Sequence, residues 1–190
     1  TILHQAKRFR VNIARAKQVA KHALTLYDHT SGFLHHDQGP GRELLWAAAL
    51  LHACGKHINL SAFHKHSWYL IRHGELLGYS QVEHLTVAAI ARYHRKSFPR
   101  KRHEIWQSLD WRRYRKIVSE MSLLLRLAAS IDRRPEPVVE SIQIDSSTDL
   151  ISIKLIPVNS DQNLGLEEWN LTNTILTSGE NIRFKIKVEH

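Results

Sequence analysis

The sequence predicts a mainly α protein, in which a helical bundle over residues 1–136 is followed by a small α+β domain with antiparallel strands over residues 137–190. Three observations support this prediction. Apolar residues recur at steps of three and four through much of the first part, as they do on one face of a helix. One of these segments is apolar on nearly every side, which is typical of a central helix. After Pro135 and Pro137, apolar and polar residues alternate instead, as they do in half-buried strands.

The first two long helices are marked by their apolar residues. Asn12 is placed to cap a helix whose apolar stripe continues to Tyr27. The segment that is apolar on nearly every side begins near Glu43 and is predicted to remain helical to about Lys56. A short helix is then predicted over residues 66–72.

The last two helices of the bundle carry signals at their starts. Ser80 and Glu83 form a capping box, in which each side chain bonds the backbone N–H of the other residue. Asp110 is placed to cap the final long helix, which carries apolar residues from Val118 to Ile131. These segments complete the predicted bundle.

The predicted α+β domain contains three strands and one short helix. Ile142 and Ile144 alternate with polar residues in a first strand, and Ile151, Ile153 and Leu155 do so in a second. The sequence "DSSTD" between them predicts a hairpin turn. A helix is predicted over residues 166–176, and "NIRFKIKV" alternates again, with apolar residues from Ile182 to Val188 on one face.

The charge balance favours a polyanionic partner. Lys and Arg total 27 against 18 Asp and Glu, which gives a net charge of +9 with the 14 His neutral. Such an excess suits nucleic acid, polyphosphate or an acidic protein surface, and the alternative is a soluble surface that is merely basic. The single cysteine, Cys54, excludes an internal disulfide and suits the cytoplasm, and no apolar run is long enough for a membrane partner.

The string "LLHACGKHI" on the predicted central helix resembles the core of an HD domain. In that family a His-Asp pair on a central helix, a His from an earlier helix and an Asp from a late helix hold a divalent metal ion. Neutral imidazoles and carboxylates suit such an ion because they supply nitrogen and oxygen ligands and offset its charge. The resemblance therefore implies an HD-like helical bundle.

Three further strings narrow the resemblance: "HKHSWYLIRHGELLGYS", "ARYHRKSFPRKRHE" and "LLRLAASIDRR". Together they resemble the C-terminal part of the exopolyphosphatase/guanosine pentaphosphate phosphatase (Ppx/GppA) family. In that family the phosphate-splitting site lies in N-terminal actin-like domains, with glycine-rich phosphate loops and catalytic carboxylates. No such loop occurs in this sequence, so we assign it no catalytic residue, and whether the chain is itself an enzyme stays open. The resemblance implies polyphosphate, the actin-like domains and a second copy of the chain as partners.

Position by position, the HD metal ligands are mostly missing. Arg15 falls where the early histidine would be, Ala53 replaces the Asp of the His-Asp pair, and Ala129 replaces the late Asp. His52 is kept, and His52, His66 and His94 together could still form a neutral three-imidazole set for a divalent metal such as zinc. We expect no required cofactor. Asp132 is expected to pair with Arg133 or Arg134.

Basic residues and histidines concentrate in two linked stretches. Guanidinium groups bind phosphoryl oxygens well because their forked geometry meets two oxygens at once. The alternative is that "RKSFPRKRHE" is a solvated loop. The candidate anion-binding residues are His64, Lys65, His66, Arg72, Arg92, His94, Arg95, Lys96, Arg100 and Lys101.

Three functions are therefore carried forward. The first is a non-catalytic polyphosphate-binding and dimerisation module of a Ppx/GppA-like protein. The second is a metal-dependent HD phosphohydrolase that acts on a nucleotide or alarmone, and it is suggested by the histidines His52, His66 and His94. The third is a nucleic-acid-binding module, which rests on charge alone because few aromatic residues can be placed beside the basic ones.

Overall fold

The computed structural model describes residues 1–109, 112–147, 150–178 and 183–188. Within these ranges the chain is mainly α, with eight α-helices and one three-stranded sheet. No helix in the described ranges is long and apolar enough to cross a membrane. The helices are α1 Ile2–Arg8, α2 Ile13–His29, α3 Gly41–Leu51, α4 Phe63–His73, α5 Gln81–Tyr93, α6 Glu104–Gln107, α7 Arg112–Ile131 and α8 Gly165–Leu176.

The signals read from the sequence fix where the main helices begin. The Asn12 side chain accepts a hydrogen bond from the Arg15 backbone N–H, and the capping box of Ser80 and Glu83 is formed in both directions. The predicted cap of α7, Asp110, lies outside the described residues. The centre of the bundle is α3, in which eight of eleven residues are buried, against α2, α5 and α7.

The central helix ends earlier than its apolar pattern predicts. α3 stops at Leu51, and a short 3₁₀ turn, Cys54–His57, follows instead of a helix that continues to Lys56. The reason is close packing on α4, because a Cβ on Gly55 would lie 2.1 Å from the carbonyl oxygen of Phe63. The buried Ser67 hydroxyl fixes this turn, since it accepts from the Gly55 N–H at 2.9 Å and donates to the His52 carbonyl at 2.7 Å.

The sheet contains β1 Val139–Ser147, β2 Leu150–Pro157 and β3 Arg183–Val188, in the order β1-β2-β3. β1 and β2 are antiparallel, as predicted, although Thr148 and Asp149 of the hairpin turn lie outside the described residues. β3 pairs with β2 in parallel, so the expectation of antiparallel strands is wrong for this pair. The physical reason is that α8 lies between the two strands in sequence, and such a crossover brings the chain back in the same direction.

The sheet packs onto the helical bundle through a shared apolar core. Ile151, Ile153 and Leu155 on β2 are fully buried, and they belong to the same cluster of apolar residues as the helices. The Gln18 side chain on α2 donates to the Val139 carbonyl at 2.7 Å and so joins that helix to β1. The division into two domains after residue 136 stays a prediction.

Candidate functional site

A pocket in the described part of the chain lies where α2, α7 and α8 meet the ends of α3 and α5. Its volume is about 510 Å³. Six basic side chains line it, and Asp132 is the one carboxylate among the described residues that do so. The lining residues are Arg15, His52, Lys56, Leu60, Phe63, His94, Arg95, Lys96, Arg126, Ala129, Ser130, Asp132, Arg133, Asn170, Asn173, Thr174 and Thr177.

Two histidines stand side by side in this pocket. His52 directly follows α3 and His94 directly follows α5, and their ring centroids are 5.0 Å apart in an edge-to-face arrangement. Nδ1 of each ring lies 2.6 Å from a backbone carbonyl three residues earlier, that of Ala49 or Ala91. Because a carbonyl only accepts, each Nδ1 carries the proton and each Nε2 is left as an acceptor.

Both rings are neutral at pH 7. Burial lowers the pKa of His52 to about 4, helped by the nearby charges of Lys56 and Arg15. Burial also lowers the pKa of His94 well below its usual value, and the neighbouring His52 adds to the effect. These imidazoles therefore offer lone pairs to a ligand rather than positive charge.

Arg15 and Asp132 close one side of the pocket with an ion pair. The Arg15 Nε lies 3.0 Å from Asp132 Oδ2, and the guanidinium also donates to the Asp132 backbone carbonyl. Burial raises the pKa of Asp132 more than the Arg15 charge lowers it. The expected pairing of Asp132 with Arg133 or Arg134 is wrong. Those two side chains bond α8 instead, at Asn170 and Glu167 respectively.

The residues present do not fit a hydrolytic metal centre. Within the described ranges no three His, Cys, Asp or Glu side chains come together as metal ligands. His66 is the member of the three-imidazole set that fails, since it lies on α4 and does not line the pocket that His52 and His94 share. Ala129 lines the pocket without a ligand atom, and Asp132, the carboxylate that does line it, is already paired with Arg15.

Of the other five basic side chains of the pocket, Arg126 is half-buried, and Lys56, Arg95, Lys96 and Arg133 are exposed. Burial lowers the pKa of Arg126 to about 10, and burial together with the charges of Arg15 and Arg95 lowers the pKa of Lys56. Arg126 also holds the chain after α5 in place, because it donates to the Tyr93 carbonyl at 2.7 Å and to the Lys96 carbonyl at 3.0 Å. An anion that entered would relieve the repulsion between these cations.

The structure brings only part of the predicted anion set to this pocket. His94, Arg95 and Lys96 line it, beside His52. The remaining predicted residues lie elsewhere. On α4, His64 is buried, His66 is half-buried and Lys65 is exposed. Arg72, on the same helix, is exposed with its guanidinium 5.3 Å from the Trp68 ring. Arg92 is half-buried on α5, and Arg100 and Lys101 are exposed on the turn before α6.

Sequence reasoning missed about half of the polar pocket wall. Lys56 belongs to the "LLHACGKHI" string and Arg126 to "LLRLAASIDRR". Both residues are therefore part of the motifs that identify the family resemblance, but they were not predicted to bind an anion. The α8 side chains carried no such signal. Asn170, Asn173 and Thr174 face the pocket only because α8 packs on α7.

Comparison with known proteins identifies the family of this chain. The family model described as Ppx/GppA phosphatase, domain III, matches residues 1–176. The chain belongs to the Ppx/GppA phosphatase family. It is similar to proteins named guanosine-5'-triphosphate,3'-diphosphate pyrophosphatase. One from Pseudoalteromonas atlantica is 31% identical over 96 residues, and one from Vibrio campbellii is 30% identical over 143 residues.

These relatives are much longer than the chain. The match to the Pseudoalteromonas atlantica protein covers 50% of this chain and 19% of that protein. The match to the Vibrio campbellii protein covers 74% of this chain and 27% of that protein. The chain thus spans about a quarter or less of the curated relatives that it matches.

Proposed function

We propose that this chain is a non-catalytic module of a Ppx/GppA protein and that it binds polyphosphate or another polyphosphoryl anion in the basic pocket. The observation that carries the proposal is the charge of the lining, in which six cations face one carboxylate that Arg15 already neutralises. Charge-assisted hydrogen bonds from guanidinium and ammonium groups are the strong contacts available to phosphoryl oxygens. The pocket therefore supplies an unbalanced positive field where a phosphate chain can enter.

The first test of anion binding replaces two exposed basic residues that line the pocket. Arg95 and Lys96 both line the pocket and are exposed, so we expect them to contact an entering anion. We expect Arg95→Gln with Lys96→Gln to weaken tripolyphosphate binding about tenfold or more, since contacts from charged donors contribute roughly 1.5–3 kcal/mol each. Isothermal titration calorimetry at 50 and 200 mM salt would measure both the loss and its salt dependence.

A matched control is available on the neighbouring turn. Arg100→Gln with Lys101→Gln removes the same charge from exposed positions that do not line the pocket. If the pocket binds the anion, this control loses much less affinity than the variant at Arg95 and Lys96. Equal losses in both would place binding on the exposed loop, and tripolyphosphate binding that is absent or insensitive to salt would reject the proposal.

The names of the relatives suggest a second candidate ligand, a guanosine nucleotide with phosphates on the 5′ and 3′ positions of the ribose. Such a ligand would place two phosphate groups against the same cations. Competition between this nucleotide and tripolyphosphate on the unaltered chain would rank the two, and RNA in the same assay would test the nucleic-acid alternative.

We propose further that the module works in the cytoplasm, beside actin-like phosphatase domains and in a dimer. The support for a dimer contact is an apolar surface on α8, where Leu166, Trp169 and Leu176 are 46%, 60% and 75% exposed. Their spacing of three and seven residues places them along one side of the helix. Trp169→Glu is expected to shift the mass found by light scattering from dimer to monomer, and an unaltered chain that is already monomeric at high concentration would refute this contact.

A further inference from the structure

The inner part of the pocket differs chemically from its basic rim. The two histidines present unprotonated Nε2 atoms, because the proton of each ring is held on Nδ1 by a carbonyl 2.6 Å away. The described residues place no hydrogen-bond partner on either Nε2. This end of the pocket is therefore complementary to a ligand group that donates a hydrogen bond.

The wall from α8 combines two hydroxyl groups with the amides of Asn170 and Asn173, which carry N–H donors as well as acceptors. The Thr174 hydroxyl donates to the Asn170 carbonyl at 2.8 Å, and the Thr177 hydroxyl donates to the Asn173 carbonyl at 2.9 Å. Each hydroxyl hydrogen is thereby used within the helix, and each Oγ1 is left to accept. The two imidazole Nε2 atoms and these two hydroxyl oxygens are thus free to accept hydrogen bonds, opposite the cationic donors on the other side of the pocket.

A bare phosphate chain matches only half of this surface. Its oxygens accept hydrogen bonds, so they would lie well against the cations and poorly against imidazole and hydroxyl acceptors. A ligand that carries both phosphoryl oxygens and neutral hydroxyl groups matches both halves. A volume of about 510 Å³ is within the range of small-molecule sites and is larger than a single phosphate requires.

We propose that the pocket binds a phosphate ester that bears sugar hydroxyl groups, with its phosphates on the cationic rim and a hydroxyl that donates to His52 or His94. The inference rests on the proposed function, because it takes the rim cations as the phosphate-binding half. It adds the class of ligand and a role for the two imidazoles as hydrogen-bond acceptors. The phosphate chain of a long polymer would then contact the rim alone.

A pair of ligands that differ only in their hydroxyls tests this directly. ATP and 2′,3′-dideoxy-ATP carry the same triphosphate, and only ATP has ribose hydroxyl groups. On the unaltered chain at pH 7.5, we expect ATP to bind about tenfold more tightly, as is appropriate for one hydrogen bond to a buried acceptor. Equal dissociation constants for the two nucleotides would overturn the inference.

Tripolyphosphate separates this inference from the broader proposal. If tripolyphosphate binds with salt dependence while the two nucleotides bind equally, the rim binds anions and the hydroxyl contact is wrong. If tripolyphosphate alone tightens tenfold between pH 8.5 and pH 6 and the nucleotides stay equal, the donor is a terminal P–OH group, which also overturns the sugar assignment. If none of the three ligands binds, the proposed function itself fails.

Variants of two buried histidines provide a second readout. His52→Phe removes an acceptor and keeps a ring of similar size, so we expect the ratio of ATP to dideoxy-ATP affinity to fall towards one. The matched control is His22→Phe, because His22 is buried on α2 and does not line the pocket. It should keep the tenfold ratio, and circular dichroism would establish that both variants fold. An unchanged ratio in folded His52→Phe would remove His52 from the contact and, if His94→Phe behaved alike, would reject the inference.

Discussion

Replacing Arg134 with methionine tests how firmly α8 is held against the helical bundle. The Arg134 Nε lies 2.8 Å from Glu167 Oε1, and its Nη2 lies 2.9 Å from Oε2, so the pair is bidentate. The Glu167 side chain is fully buried, whereas that of Arg134 is 33% exposed. Since α8 supplies one wall of the pocket, this ion pair joins the stability of the fold to the shape of the site.

The size of the effect follows from burial. Removal of one partner from a buried ion pair costs about 3–5 kcal/mol, because the other charge is left without compensation. The partial exposure of Arg134 points to the lower end, so we expect Arg134→Met to reduce the free energy of unfolding by about 3 kcal/mol, roughly a hundredfold in the folding equilibrium. Urea unfolding followed by circular dichroism at pH 7 would measure it.

Two comparisons make this prediction refutable. Arg42 forms the same bidentate contact with Asp28, both at 2.8 Å, but the two side chains are 51% and 42% exposed. Arg42→Met should therefore cost no more than about 1 kcal/mol. The double variant Arg134→Met with Glu167→Gln should recover part of the loss, because no charge is then buried alone. Equal losses at Arg134 and Arg42, or no recovery in the double variant, would refute the reasoning.

Three further predictions concern the histidines, the 3₁₀ turn and the lost metal site. Burial lowers the pKa of His22 and of His52 from 6.5 to about 4, so the unfolded chain takes up protons first as the pH falls. The free energy of unfolding should therefore drop by about 1.5 kcal/mol per histidine between pH 6.5 and pH 5, and a pH-independent urea midpoint would contradict this. Ser67→Ala should cost about 1–3 kcal/mol in the same assay, because it strips the buried Gly55 N–H of its acceptor; a loss within error would show that the turn holds without the hydroxyl. Arg15→His with Ala129→Asp adds an imidazole and a carboxylate beside His52, so calorimetry should show tighter zinc binding than in the unaltered chain; a folded variant that binds zinc no more tightly would contradict this.

The sequence predicted the helices best where local chemistry decides the structure. Asn12 and the Ser80–Glu83 capping box mark helix starts that depend only on residues within three positions. The end of α3 was mispredicted because the close contact at Gly55 comes from α4, a separate element. The direction of β3 was mispredicted because alternation of apolar residues defines a strand and not the strand beside which it lies.

The sequence likewise predicted those residues of the candidate site that are neighbours in the chain, and it missed those that come together from distant segments. His94, Arg95 and Lys96 are consecutive, so one turn of chain places all three at the pocket. The partner of Asp132 is 117 positions away in sequence, and no local signal distinguishes Arg15 from the nearer Arg133. The α8 wall depends on how the crossover helix packs, which the periodicity of a short segment cannot specify.

The Arg15–Asp132 ion pair bears on how the charge of this site depends on the supply of metal ions in the cell. An HD centre loses its positive charge when its ion is chelated or scarce and regains it when the supply returns. Here Asp132 balances the Arg15 guanidinium, and the remaining positive charge belongs to five other covalently attached side chains. Zinc starvation, manganese excess or added EDTA should thus leave the pocket's electrostatic attraction unaltered.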